Sequence, residues 1–99
     1  NSDTGLTRFN THYYLALSYL ASNTGIANAI VNLKSAISNN PDSFLQTKAE
    51  WYLALAYLKT TETKKAEQLL KKIILNDNAG EYRQKALLLL TDLKKNRER

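Results

Sequence analysis

At 99 residues with a hydrophobic fraction of 43%, the chain is long enough for one domain and apolar enough to fold. It has no cysteine, which excludes disulfides, thiolate metal sites and cysteine nucleophiles, and no apolar run approaches the roughly 20 residues of a membrane span. The net charge of +5 is uneven: of 14 Lys and Arg, only Arg8 and Lys34 precede residue 48.

The opening residues Asn1-Ser2-Asp3-Thr4-Gly5-Leu6 run parallel to Asn39-Asn40-Pro41-Asp42-Ser43-Phe44. Both are polar turn clusters followed by a large apolar residue. The chain is therefore expected to start inside a loop between repeats, as the C-terminal part of a longer protein. A first helix is predicted over residues 7–21, with Phe9, Tyr13, Tyr14, Leu15, Ala16, Leu17, Tyr19 and Leu20 as its apolar positions. Ser22-Asn23-Thr24-Gly25 ends it, with Gly25 expected to supply the left-handed exit and Asn or Thr placed to cap the next helix. The second helix, residues 26–38, carries Ile26, Ala29, Ile30, Leu33, Ala36 and Ile37 at helical spacing. Pro41 disfavours helix in the residue before it, so Asn39-Asn40-Pro41-Asp42 is the stop.

A third helix is predicted over residues 43–59, with Ser43 and Gln46 at capping-box spacing. It contains Glu50-Trp51-Tyr52-Leu53-Ala54-Leu55-Ala56-Tyr57-Leu58, a near copy of His12-Tyr13-Tyr14-Leu15-Ala16-Leu17-Ser18-Tyr19-Leu20. The offset is about 38 residues, a period that marks stacked helical repeats. Thr60-Thr61-Glu62 makes a tight turn. The fourth helix, residues 63–76, buries Ala66, Leu69, Leu70, Ile73 and Ile74 and leaves its lysines outside. Asn78 with Glu81 is placed to cap a fifth helix over residues 81–95, and Lys94 to Arg99 is expected to fray.

Two helix pairs and a closing helix at this period resemble the tetratricopeptide repeat. Leu15-Ala16 with Tyr19, and Leu53-Ala54 with Tyr57, match the large–small–tyrosine signature of that family's first helix. Ala29 and Ala66 match the small residue that opens its second helix, Leu33 and Leu70 the large residue that follows, and Pro41 the end of a repeat. The period is longer than the family's roughly 34 residues, by additions in the turns, and Thr61 stands where the family has Gly. The resemblance implies an all-α, right-handed superhelical stack of antiparallel helix pairs. Residues 7–40 and 43–78 form two repeats and residues 81–95 a capping helix, within a single domain of residues 1–99. Leu15, Ala16, Tyr19, Ala29, Leu33, Leu53, Ala54, Tyr57, Ala66 and Leu70 are then the repeat-packing residues. The family's concave groove falls here on Tyr13, Leu17, Leu20 and Ala21, and on Trp51, Leu55, Leu58 and Lys59.

From Trp51 to Leu58 there is no charged or amide side chain, and a helix apolar all round is expected to be buried all round. Three readings of the groove compete. It binds an apolar peptide or partner protein, as a scaffold or adaptor does. A second copy of the chain or a missing N-terminal part covers it, as in a homodimer. Or tight packing of neighbouring helices buries it with no ligand. Where relatives clamp a terminal carboxylate with Lys, Arg and Asn, this chain has Tyr13, Leu17, Trp51 and Leu55, which argues against that function. A weaker alternative is nucleic acid or an anionic surface bound through Lys64, Lys65, Lys71, Lys72, Lys94, Lys95, Arg97 and Arg99. No aromatics interleave them and no base-reading motif accompanies them.

No enzyme, metal or cofactor is expected. His12 is the only histidine, read as a surface or groove-edge residue, and the nine carboxylates are scattered. Glu67 with Lys71, and Glu81 with Lys85, have the spacing of helix-surface pairs. The compartment stays open; the Asn- and Lys-rich composition suggests a bacterial source, and with it a soluble protein of cytoplasm or periplasm.

Overall fold

The structure, a computed structural model, describes residues 4–39 and 41–97. Asn1 to Asp3, Asn40, Glu98 and Arg99 lie outside the described residues, and with them the start of the opening turn cluster and the last basic residue. Five helices follow in order: α1 Thr4–Ser22, α2 Ile26–Ser38, α3 Ser43–Lys59, α4 Thr63–Leu75 and α5 Glu81–Arg97. No strand occurs among the described residues. Successive helices pack on one another across short turns, which makes neighbours antiparallel. The inner contacts are one-sided. α1 touches α3 and α3 touches α5, whereas α2 and α4 have no Cα pair within 8 Å. The molecule is a thin slab of 51 × 33 × 17 Å with odd helices drawn together along one side.

Small residues set the spacing. Ala16, Ala29, Ala36, Ala49, Ala54, Ala56, Ala66 and Ala86 are all 0% exposed, which lets helix backbones approach closely. Leu33, Leu70 and Ile73, also fully buried, fill the adjoining space, each contributing about 1.5–3 kcal/mol of burial. Phe9, Tyr13, Leu53, Tyr57, Tyr82 and Leu90 complete the core.

The two hairpin turns are built alike. Asn23 and Thr61 occupy matching positions, with φ of 58° and 62°, and each N–H donates to the carbonyl three residues back, Leu20 and Leu58. Asparagine tolerates the left-handed region; a β-branched threonine is strained there. Gly25 is needed for a different reason. A Cβ at that position would stand 2.4 Å from Cδ1 of the Tyr19 ring, so the tyrosine packs where any side chain would be.

Several local expectations are corrected. α1 begins one turn earlier than residue 7, because the first turn of a helix needs no carbonyl partner and tolerates polar sequence. No side chain caps α2; its N-cap is Gly25. The cap of α3 is Asp42, whose Oδ1 accepts from the Leu45 N–H at 2.9 Å, so Ser43 is already helical and the Ser43–Gln46 box does not form. Gln46 instead donates to Glu50. α4 ends at Leu75, and the Asn78 N–H donates to Asn76 Oδ1 in the turn that follows. α5 does not fray at Lys94; it continues to Arg97, whose guanidinium reaches Glu67 at 2.9 Å.

Leu15 is also corrected. As a packing residue it was expected to match Leu53, yet it is 44% exposed where Leu53 is 4% exposed. α3 lies between α2 and α4, and α1 has no helix on the corresponding outer side.

Candidate functional site: the trough between α1 and α3

Where α1 meets α3, their side chains leave a trough of about 360 Å³. Leu17, Leu20 and Ala21 form one wall and Tyr52, Leu55 and Lys59 the other. Spacing explains the lining. Leu17, Leu20 and Ala21 share one face of α1, as Tyr52, Leu55 and Lys59 share one face of α3. Leu17, Leu20 and Leu55 are half-buried, and Lys59 stands exposed at one end, with Nζ 3.3 Å from Asn23 Oδ1. No carboxylate lines the trough.

The sequence-predicted groove residues divide into two groups. Leu17, Leu20, Leu55 and Lys59, with Ala21, come together in the trough. Tyr13, Trp51 and Leu58 do not line it. Tyr13 is 2% exposed, stacked on Phe9 at 5.3 Å and edge-on to Tyr52 at 6.0 Å. It forms the floor on which the two inner helices meet. Trp51 is half-buried against Tyr82 of α5, with ring centroids 6.1 Å apart, and Leu58 is half-buried against the core. Tyr52 was missed, though its place one turn before Leu55 was a usable signal.

Electrostatics keep the aromatic floor neutral. Burial pushes the Tyr13 phenol far above the ordinary tyrosine value, with Tyr52, Tyr82 and Tyr14 adding to the effect. Burial raises Tyr82 as well, helped by Tyr52 and Glu81. Lys48 Nζ lies 5.5 Å over the Tyr13 ring and Lys85 Nζ 5.2 Å over Tyr82, so these two cations rest on ring faces.

A second, polar cavity of about 470 Å³ opens between α3 and α4, lined by Ser43, Gln46, Thr47, Glu50, Lys72, Leu75 and Asn76. Its groups satisfy one another. Thr47 Oγ1 donates to the Ser43 carbonyl and accepts from Asn76 Nδ2 at 2.9 Å, and Glu50 pairs with Lys72. This pairing reads as structural: buried polar groups are hydrogen-bonded, and these are.

The basic residues are partly engaged. Lys65 pairs with Glu62, Lys72 with Glu50 and Arg97 with Glu67, and hydrogen bonds from Lys65 and then Thr60 hold the Glu62 carboxyl below its usual value. Glu67 therefore bonds across to α5 rather than to Lys71 as expected, while the Glu81–Lys85 pair is present at 3.5 Å. His12 is not merely a surface residue: Nδ1 lies 3.0 Å from Asn32 Oδ1, tying α1 to α2. Among the described residues no three His, Asp or Glu side chains are grouped to hold a metal ion, and no helix is long and apolar enough to cross a membrane. No family model, curated protein or solved structure matches the chain.

Proposed function

We propose that this chain is a tetratricopeptide-like scaffold segment whose α1–α3 trough receives an apolar side chain from a peptide or partner protein. In this reading two hairpins and a closing helix wind as a right-handed superhelix, with odd helices on the concave side, and the role is binding rather than catalysis. The observation that carries it is the trough itself: leucines and a tyrosine ring in the walls, no carboxylate, and Lys59 at the end. Matching left-handed residues in the two hairpin turns support the repeat. Contact of odd helices with one another, without contact of even helices, supports a concave side.

The guest is a leucine- or phenylalanine-sized side chain with an acidic neighbour for Lys59. Apolar burial supplies affinity, and the lysine selects orientation and register. Phage-displayed peptides selected on the intact chain test the idea. Enriched sequences should pair a large apolar residue with Asp or Glu. The Leu55→Asp variant, checked for helicity, should bind them at least tenfold more weakly. Lys59→Glu should weaken acidic peptides specifically. Peptides indifferent to both changes, or a dimer in sedimentation that Leu55→Asp dissociates, would replace this reading with another.

A further inference from the structure

The two hairpins differ in what they bury near the start of their first helix. Thr47 and Glu50 of α3 stand at the positions of Phe9 and His12 in α1. Phe9 is 1% exposed and fills its space with a ring; Thr47 is 0% exposed and fills far less, and the polar cavity of about 470 Å³ opens beside it. The pairs that hold this cavity together leave acceptors over. Asn76 Nδ2 donates to both Ser43 and Thr47, and the Thr47 hydroxyl donates to the Ser43 carbonyl. The Glu50 side chain is only 4% exposed, and Gln46 Nε2 and Lys72 Nζ both meet its Oε2. Among the described residues, neither Glu50 Oε1 nor Gln46 Oε1 accepts a hydrogen bond, and no polar side-chain atom sealed from solvent lacks a partner, so both oxygens open on space rather than on protein. Lys72 is the one cation lining the cavity, and its own side chain is 58% exposed.

We propose that this cavity is a binding site for a primary ammonium group on a short aliphatic stem. The incoming ammonium takes the place of Lys72, which is a flexible lysine on the surface and free to swing outwards. Its N–H groups are all donors, and what the cavity has to spare is acceptors: the Glu50 carboxylate and, one turn earlier on α3, the Gln46 carbonyl oxygen. A buried carboxylate stripped of its partner is costly, but here one cation replaces another and the charge is never stranded. Leu75, 81% exposed on the rim, offers an apolar surface to the stem. The site shares no residue with the α1–α3 trough and stands or falls independently of it.

The test titrates the intact, isotope-labelled chain with n-butylammonium chloride. Tetramethylammonium chloride at the same ionic strength is the control, since it carries the charge without an N–H donor. The expected result is saturable amide shift changes at Gln46, Thr47, Glu50 and Asn76 with n-butylammonium alone. Glu50→Gln should abolish them. Thr47→Phe should do the same with the carboxylate still in place, by filling the cavity as Phe9 fills its counterpart. Lys72→Gln removes the resident competitor and should tighten binding at least tenfold. Helicity of each variant is checked by circular dichroism. A blocked lysine that binds more tightly than n-butylammonium would make the natural guest a protein side chain, and the reverse order a free amine. No saturation in the parent chain, an equal response to tetramethylammonium, or an affinity that Lys72→Gln leaves unchanged overturns the proposal. Changes centred on Leu17, Leu55 and Lys59 would place the amine in the trough, which also sinks it and leaves the trough reading standing.

Discussion

Leucine-to-alanine changes at Leu15 and Leu53 are one substitution made at two equivalent places, and the fold gives them unequal costs. Leu53 is 4% exposed. Truncating a sealed leucine costs roughly 2–5 kcal/mol because the cavity adds to the lost transfer energy, so about 3 kcal/mol is expected. Leu15 is 44% exposed, with little over half its surface out of water. Its open side leaves no cavity. About three carbons at roughly 0.8 kcal/mol each, halved for exposure, give about 1 kcal/mol. In a domain this size each kcal/mol moves the midpoint by roughly 4–8 °C, so the two variants should melt about 8–16 °C apart. Thermal denaturation followed by circular dichroism, at two protein concentrations, measures this. Equal losses would refute the reasoning, since they would mean that Leu15 is covered as fully as Leu53 is. A Leu15→Ala loss that grows with concentration would identify a second copy as the cover.

Ala54→Leu should cost roughly 1–3 kcal/mol by overpacking a site that is 0% exposed, and an unchanged melting midpoint would disprove the close helix approach there. Thr61→Gly should stabilise by about 0.5–1 kcal/mol, since relief of a β-branched residue at φ 62° outweighs the extra chain freedom of glycine; a loss in urea titration would contradict the strain. Tyr13 holds its proton more tightly folded than unfolded, so the stability it confers is intact below about pH 10 and falls as pH rises towards the folded value. Tyr13→Phe should therefore lose less stability than the parent between about pH 9 and 11, and parallel losses would rule the effect out. Arg97→Ala should cost about 1–2 kcal/mol by stranding a Glu67 carboxylate that is only 10% exposed, discounted because the arginine itself is 58% exposed; salt-independent, unchanged stability would show the pair to be idle.

Helix identity was legible because the signal is periodic and local. The spacing of Ala29, Leu33 and Ala36, the duplicated nine-residue stretch and the turn residues between them placed the five helices to within a few residues. Long-range partners were not legible. Glu67 has Lys71 one turn away in sequence, yet Arg97 on another helix is nearer to its carboxylate, and spacing within one helix says nothing about that. Asp42 displaced Ser43 as the cap because adjacent residues can both serve, and only backbone angles decide between them. The trough was half legible. The family resemblance placed Leu17, Leu20, Leu55 and Lys59 on the inward side, but it could not tell Tyr13 in the floor from Tyr52 in the wall. That depends on how deeply the two helices interpenetrate, which is set by neighbouring side chains rather than by phase.

The one-sided contact of the helices has a mechanical consequence. Tyr13 and Tyr52 touch edge to face at 6.0 Å, while among the described residues no Cα pair within 8 Å joins α2 to α4. Rotation about the α2–α3 seam therefore meets resistance on one flank only. On the proposed reading, a guest in the trough would load the α1–α3 contact first, and the approach of α2 to α4 would limit its size.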